Sequence, residues 1–194
     1  MGEVKTRLAR VIGAKAACEA YCQLVDELCE RLSSLKGLEL RFSPDDAADE
    51  IKCWQRQSWR LRPQGKGDLG QRMEAAFAEA FASRAERVVI IGSDCPAIAV
   101  DDIEKASAAL GTADVVLGPA RDGGYWLIGL RQPQPSLFKQ ITWSTDSVLK
   151  ETLRRARDSQ LQVKLLRELA DVDNQRDWED FLASKGLGSL RSGT

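Results

Sequence analysis

The carboxylate best placed to do chemistry is Asp94, in the run Arg87-Val-Val-Ile-Ile-Gly-Ser-Asp-Cys-Pro96. Val88 to Ile91 are apolar and β-branched, the pattern of a strand buried on both faces. Pro96 has no main-chain donor and closes the run. Asp94 is therefore expected at the carboxyl end of a central strand, the edge where open α/β sheets bind ligands. A carboxylate there can hold a divalent cation and, through it, a phosphate. The plainer alternative is a turn at Ser93 and Asp94 that caps a helix starting near Pro96. Four other stretches have comparable potential. Gln64-Gly-Lys-Gly-Asp-Leu-Gly70 is the densest in glycine, and such a loop ahead of a helix can turn N–H groups toward a phosphate. Asp122-Gly123-Gly124 is either an ordinary hairpin turn or backbone brought close to a ligand that Asp122 faces. Trp143-Ser144-Thr145 precedes a helix that Ser144 or Thr145 would cap. Asp171-Val-Asp-Asn174 leads to a last helix, and Asp173 is either its cap or a second metal carboxylate.

The totals limit what these residues can do. The 194 residues contain no histidine. That removes Ser-His-Asp triads, Cys-His dyads and His-bearing metal sites, and leaves carboxylates, Lys, Tyr and Cys. Basic and acidic side chains number 28 and 29, a net charge of -1, which argues against nucleic-acid binding through overall charge. No apolar run approaches a membrane span. Met1 to Arg10 has basic residues without a following apolar region, so it does not read as a secretory signal. A cytoplasmic protein is expected. Five cysteines, an odd number without scaffold spacing, fit reduced thiols.

The elements that must position these residues alternate between helix and strand. Gly13 to Leu35 reads as an amphipathic helix, with Cys18, Tyr21, Cys22, Val25, Cys29 and Leu32 on one stripe. Leu38–Phe42 is a strand. Ser43 and Pro44 start a helix that reaches about Trp54. Ser58–Arg62 is a strand, and a helix covers about Gln71 to Ala85. After Val88–Ile91 come a helix from about Val100 to Leu110, strands at 114–117 and 125–130, a helix over 146–157, a strand over 162–166 and a helix over 175–184. The connection through Asp122-Gly123-Gly124 joins two strands with no helix between them. One domain over residues 1–185 is expected, with a small polar tail over 186–194 that frays.

Six stretches in order carry a resemblance: Gly2-x-Val-Lys-Thr-Arg-Leu8, Gly67-Asp-Leu-Gly-x-Arg-Met73, Gly92-Ser-Asp-Cys-Pro96, Gly118-Pro-Ala-x-Asp-Gly-Gly-Tyr125, Trp143-Ser-Thr145 and Asp171-Val-Asp173. Together they resemble the bacterial GT-A-like glycosyltransferases, an uncharacterised family often labelled radical-SAM/selenodomain-associated transferases, in the nucleotide-diphospho-sugar transferase superfamily. The resemblance implies an α/β, Rossmann-like, mixed and mostly parallel sheet with helices on both faces. It implies a nucleotide or nucleotide-sugar donor, a small-molecule acceptor, and Mg2+ or Mn2+. Lys5 and Arg7 would neutralise donor phosphates, and Gly67, Asp68 and Gly70 would line the donor pocket. Asp94 and Asp173 would hold the metal. Asp122 would be catalytic, with Gly123, Gly124, Trp143 and Ser144 on the acceptor side. Glycosyl transfer is the first reading; nucleotidyl transfer from a nucleoside triphosphate and a non-catalytic nucleotide-binding module are the alternatives.

The family pattern has an apolar strand and a Lys-x-Pro-x-Pro-Gly loop ahead of Val-Lys-Thr-Arg-Leu, whereas this sequence starts at Met1-Gly2. The first strand of the family is therefore expected to be missing. Closing of its neighbours, entry of solvent or filling by a partner subunit would follow, the last making a homo-oligomer.

The cysteines are expected to be structural, because free Cys packs as a small hydrophobe. A thiol reagent should react slowly with native protein at most of the five, and stoichiometric zinc in the purified protein would contradict this.

Overall fold

The computed structural model describes residues 5–186. Its elements, in order, are α1 (Thr6–Ile12), α2 (Ala14–Arg31), β1 (Glu39–Phe42), α3 (Ala48–Ile51), β2 (Arg60–Pro63), α4 (Leu69–Ala82), β3 (Val88–Ile91), α5 (Val100–Ala109), β4 (Val115–Pro119), β5 (Tyr125–Leu130), α6 (Val148–Asp158), β6 (Val163–Leu165) and α7 (Gln175–Ser184). Four strands form a sheet in the order β3-β5-β4-β6, and β1 pairs with β2 in a separate parallel pair. β5 runs antiparallel to both its neighbours, and β6 is parallel to β4. β3, β4 and β6 thus share one direction, so the sheet is mixed and mostly parallel, with β5 inserted by the 120–124 turn.

Alternation along the strands sends side chains to two cores. Val89, Ile91, Val116 and Trp126 pack with Val25, Leu28, Cys29 and Leu32 of α2 and with Ala106 of α5. Val88, Ile90, Val115, Leu117 and Ile128 pack with Met73 and Phe77 of α4 and with Ala156 of α6. A third cluster fixes the start of the chain. Leu8, fully buried, packs with Ala17 and Ala20 of α2 and meets Trp178 of α7.

Several local expectations change. β3 was expected to be central and buried on both faces, yet all four of its residues are partly exposed, while β4 is buried apart from Pro119. The reason is that, among the described residues, β3 pairs only with β5. Among the described residues no strand joins β3 to β1, although Leu38 and Leu40 share a core with Val89 and Ile91. No helix starts near Pro96; α5 begins at Val100, and the Asp102 carboxylate accepts from the Ala99 N–H at 2.9 Å. Ser43 caps no helix, because the chain turns through 43–46 before α3 begins at Ala48. Asn174, not Asp173, caps α7 by accepting from the Asp177 N–H. α6 begins at Val148, after Ser147, so neither Ser144 nor Thr145 caps it. Lys5 to Arg10, left unassigned from sequence, leads into and forms α1. Of the expected tail, residues 187–194 lie outside the described residues, as do 1–4.

Among the five thiols, Cys29 and Cys95 are buried, Cys18 and Cys22 are half-buried, and Cys53 is exposed. Burial pushes the Cys29 thiol up to about 11 and the Cys95 thiol up to about 12, which keeps both in the unreactive form at neutral pH.

One ion pair ties the last strands to α5. Arg167 donates through Nε and Nη2 to the two oxygens of Asp102, both at 2.7 Å. Asp102 is buried, at 3% exposure. Burial alone would raise its carboxyl, but Arg167 and the Ala99 N–H hold it below the usual range. A depressed carboxyl contributes stability that is present above the unfolded value near pH 4 and lost as pH falls through the folded value. Because the Arg167 side chain is half exposed, Arg167→Met should cost about 1–3 kcal/mol at pH 7, the order found when a buried acceptor loses its hydrogen-bond partner. Urea unfolding should show that cost shrinking below about pH 4, where Asp102 in the variant is protonated.

Candidate active site

The carboxyl end of β3 is built by a crossing of loops. Leu166 donates its N–H to Leu117, Leu169 to Pro119 and Arg121 to Leu169, so the chain after β6 follows the end of β4. It then crosses to β3, where the Val172 N–H donates to the Asp94 carbonyl at 2.9 Å. That bond brings Asp171, Val172 and Asp173 beside Asp94. Val172 itself is buried and leaves the flanking carboxylates toward the surface.

Both carboxylates expected to take a metal are engaged by basic side chains from the start of the chain. Lys5 Nζ lies 2.7 Å from Asp94 Oδ1, and Arg7 Nη1 lies 2.7 Å from Asp173 Oδ2. The Lys5 side chain is only 4% exposed, against 51% for Asp94. Arg7 is 66% exposed and Asp173 32%. Lys5 adopts the left-handed conformation, φ 50°, and its carbonyl accepts the Ala9 N–H at the start of α1. A non-glycine residue there is uncommon and marks a position held by its surroundings. Tyr21 of α2 meets Ser93 through hydroxyls 2.8 Å apart, which fixes the loop from the other side.

Two further acids face this centre. Asp171 is half-buried, and burial, followed by Asp122 and Asp173, raises its carboxyl, while Lys5 opposes the shift. Asp122 accepts the Gly124 N–H at 2.8 Å. The 120–124 segment is thus the β-turn of a hairpin, as the plainer reading had it, with Asp122 also in electrostatic reach of Asp171 and Cys95. Asp171 lay in a motif that the sequence displayed but was given no role; its neighbour Asp173 drew attention through its place before a helix.

The remaining predicted residues form an adjoining wall. Asp68 caps α4 by accepting from the Gln71 N–H, and Gln71 Oε1 accepts from the Asp68 N–H in return. Gly67, at φ 107°, makes the turn that allows this. A Cβ on Gly70 would stand 2.5 Å from the Trp143 indole, so the glycine lets Trp143 lie on the start of α4. Gly123, at φ 90°, lies against the Asp146 main chain, three residues beyond Trp143, and accepts the Leu149 N–H through its carbonyl. The 122–124 turn therefore links the carboxylate centre to the Gly70–Trp143 contact. Ser144 is exposed, at φ 64°. A hollow of about 580 Å3 borders the same loop, lined in part by Asp68, Gln71, Lys139 and Arg155.

With this geometry in view, comparison with known proteins decides the family. Residues 29–145 match the model of the family described as "Uncharacterized protein conserved in bacteria (DUF2064)". The chain belongs to this family. A crystal structure from Desulfovibrio desulfuricans G20, provisionally designated a nucleotide-diphospho-sugar transferase, is 33% identical, with a TM-score of 0.86 over 100% of this chain and 86% of that one. The DUF2064 fold is also shared with more distant structures. The manganese complex of Rv0371c from Mycobacterium tuberculosis H37Rv has a TM-score of 0.56 at 14% identity, over 83% of this chain and 86% of that one. CMP:2-keto-3-deoxy-manno-octonic acid synthetase complexed with CTP has a TM-score of 0.57 at 11% identity, over 84% and 87%. No curated protein matches the chain. This DUF2064 member is thus a member of the nucleotide-diphospho-sugar transferase superfamily in fold.

The glycine at the centre of the linking turn can be tested against a control. Gly65 and Gly123 both have positive φ, but a Cβ meets nothing within 4 Å at Gly65 and meets the Asp146 carbonyl oxygen at 2.2 Å at Gly123. Alanine at either position carries a backbone cost on the order of 1 kcal/mol. Only Gly123→Ala adds a clash with main chain, so its melting temperature should fall by at least twice as much as that of Gly65→Ala.

Proposed function

We propose that this protein is a metal-dependent transferase that takes a nucleotide-linked donor, and that it transfers the glycosyl group of a nucleotide sugar to a small-molecule acceptor. The observation that carries the reading is the pair Asp94 and Asp173, joined through the Val172–Asp94 main-chain bond and set against Lys5 and Arg7. The donor set is all oxygen, which suits Mg2+ or Mn2+. Among the described residues no three Cys, Asp or Glu side chains gather into a ready metal cage. That is compatible with Mg2+ and Mn2+, which are commonly bound by one or two carboxylates together with substrate phosphates. When bound, the cation would offset charge developing on a diphosphate leaving group.

The chain's own residues supply the rest. Lys5 and Arg7 sit where they can neutralise phosphate oxygens. Gly67, Asp68 and Gly70 shape the donor side, where the capped start of α4 presents N–H groups. Asp122, in electrostatic reach of Asp171, would act on the acceptor, with Gly123, Gly124, Trp143 and Ser144 on the acceptor side. The 33% identity to the Desulfovibrio protein favours the nucleotide-sugar reading over nucleotidyl transfer. Five cysteines, an odd number without scaffold spacing, support a cytoplasmic setting; among the described residues no helix is long and apolar enough to cross a membrane.

A thermal-shift screen of nucleotides and nucleotide sugars, with and without Mn2+, tests this reading, because a ligand raises the melting temperature by mass action. The expected result is a shift with one nucleotide-sugar class that requires Mn2+. Asp173→Asn, at a partly exposed position whose partner is exposed, should abolish that shift and change the apo melting temperature little. Asp94→Asn should lower the apo melting temperature as well, because it leaves the buried Lys5 ammonium without its partner. Pyrophosphate release from a nucleoside triphosphate would move the assignment to nucleotidyl transfer, and donor binding without any product would move it to a binding module.

A further inference from the structure

The two carboxylates proposed for the cation are each in contact with a positive side chain, and both side chains come from one short segment. Lys5 precedes α1 and Arg7 is in its first turn. The helix is anchored by the fully buried Leu8 against α2 and meets α7 through Trp178. Lys5 is the tighter of the two. Its side chain is only 4% exposed, and its contact is Asp94 Oδ1. A divalent cation entering alone meets two positive side chains that already hold one oxygen of each carboxylate, and drawing Asp94 away would leave the buried Lys5 ammonium without its ion-pair partner, a costly state. A cation that arrives with a diphosphate brings the replacement partner: phosphate oxygens for Lys5 and Arg7 as the metal takes Asp94 and Asp173.

Resting on the metal-dependent reading above, we infer that Lys5 and Arg7 form a built-in cation plug that makes this site selective for a metal–diphosphate complex over the free metal. They act as specificity residues and not only as phosphate ligands. The same two side chains raise affinity for the complex and lower affinity for the bare ion.

Calorimetric titration at neutral pH with MnCl2 alone, and with preformed Mn2+–pyrophosphate, tests this without any assay of turnover. Wild-type protein should bind the complex at least about tenfold more tightly than Mn2+ alone, a difference of about 1.4 kcal/mol. In the Lys5→Met, Arg7→Gln double variant the preference should invert, with Mn2+ alone gaining about tenfold and the complex losing at least as much. Arg7→Gln by itself, at a 66% exposed position, should keep the fold and move both affinities a few-fold in those directions, so the test survives if the double variant is unstable. If Asp173→Asn weakens Mn2+ binding but neither plug variant strengthens it, the plug is overturned and the metal reading stands. If wild type binds Mn2+ in neither form, or Asp173→Asn changes nothing, the metal reading falls and the plug falls with it.

Discussion

The structure at the carboxyl edge depends on one run of main-chain hydrogen bonds. Leu166 bonds to Leu117, Leu169 to Pro119, Arg121 to Leu169, and Val172 to Asp94. These are ordinary amide bonds, each modest in net terms but costly to leave unmade once buried. Their importance is geometric. They carry a single segment from the end of β4 to the end of β3, and so set Asp171 and Asp173 beside Asp94. Arg167 locks the middle of that segment to α5 through Asp102, while its carbonyl accepts the Trp126 indole N–H. Side chains more than seventy residues apart in sequence thereby form one carboxylate centre.

Electrostatics explains why that centre holds together. Asp94, Asp122, Asp171 and Asp173 bring four carboxylates to one edge, and burial, with repulsion from Asp122 and Asp173 behind it, raises the carboxyl of Asp171. Lys5 and Arg7 supply the opposing charge. Because α1 is held by Leu8 rather than by these ion pairs, the positive charges are delivered by hydrophobic packing. Packing fixes the segment, and the ion pairs follow from where it is fixed. An exposed pair such as Arg7–Asp173 contributes little to stability on its own.

The wall adjoining the carboxylates is built by steric rather than electrostatic means. Gly70 admits the Trp143 indole, and Gly123 admits the Asp146 main chain. Both contacts require the absence of a Cβ. They bring the start of α4, the 122–124 turn and the loop before α6 into one surface, which is why glycines scattered over more than fifty residues serve a single site. Two sheets share this scaffold without pairing. β1 and β3 contribute to the same core, yet among the described residues β3 has only β5 as a strand neighbour, and its partial exposure follows directly.

Much was legible in the sequence because it is local. Apolar runs located β3, β4 and β5, the three-four periodicity located α2 and α4, and α5 and α6 also lie within a few residues of their expected places. The absence of histidine confined the chemistry to carboxylates, Lys, Tyr and Cys. The six ordered motifs pointed to the family that the comparisons establish. The ends of helices were less legible: the expected caps at Ser43, Asp173 and Ser144 or Thr145 are absent, because several polar residues stand before each helix and tertiary contacts choose among them. Asn174 was chosen for α7, leaving Asp173 to meet Arg7. The pairing of β5 between β3 and β4, the edge position of β3, and the meeting of Lys5 with Asp94 were beyond any local pattern. Each is a contact between residues far apart in the chain, and only the packing of α1 on α2 and the crossing of the 166–172 segment bring them together.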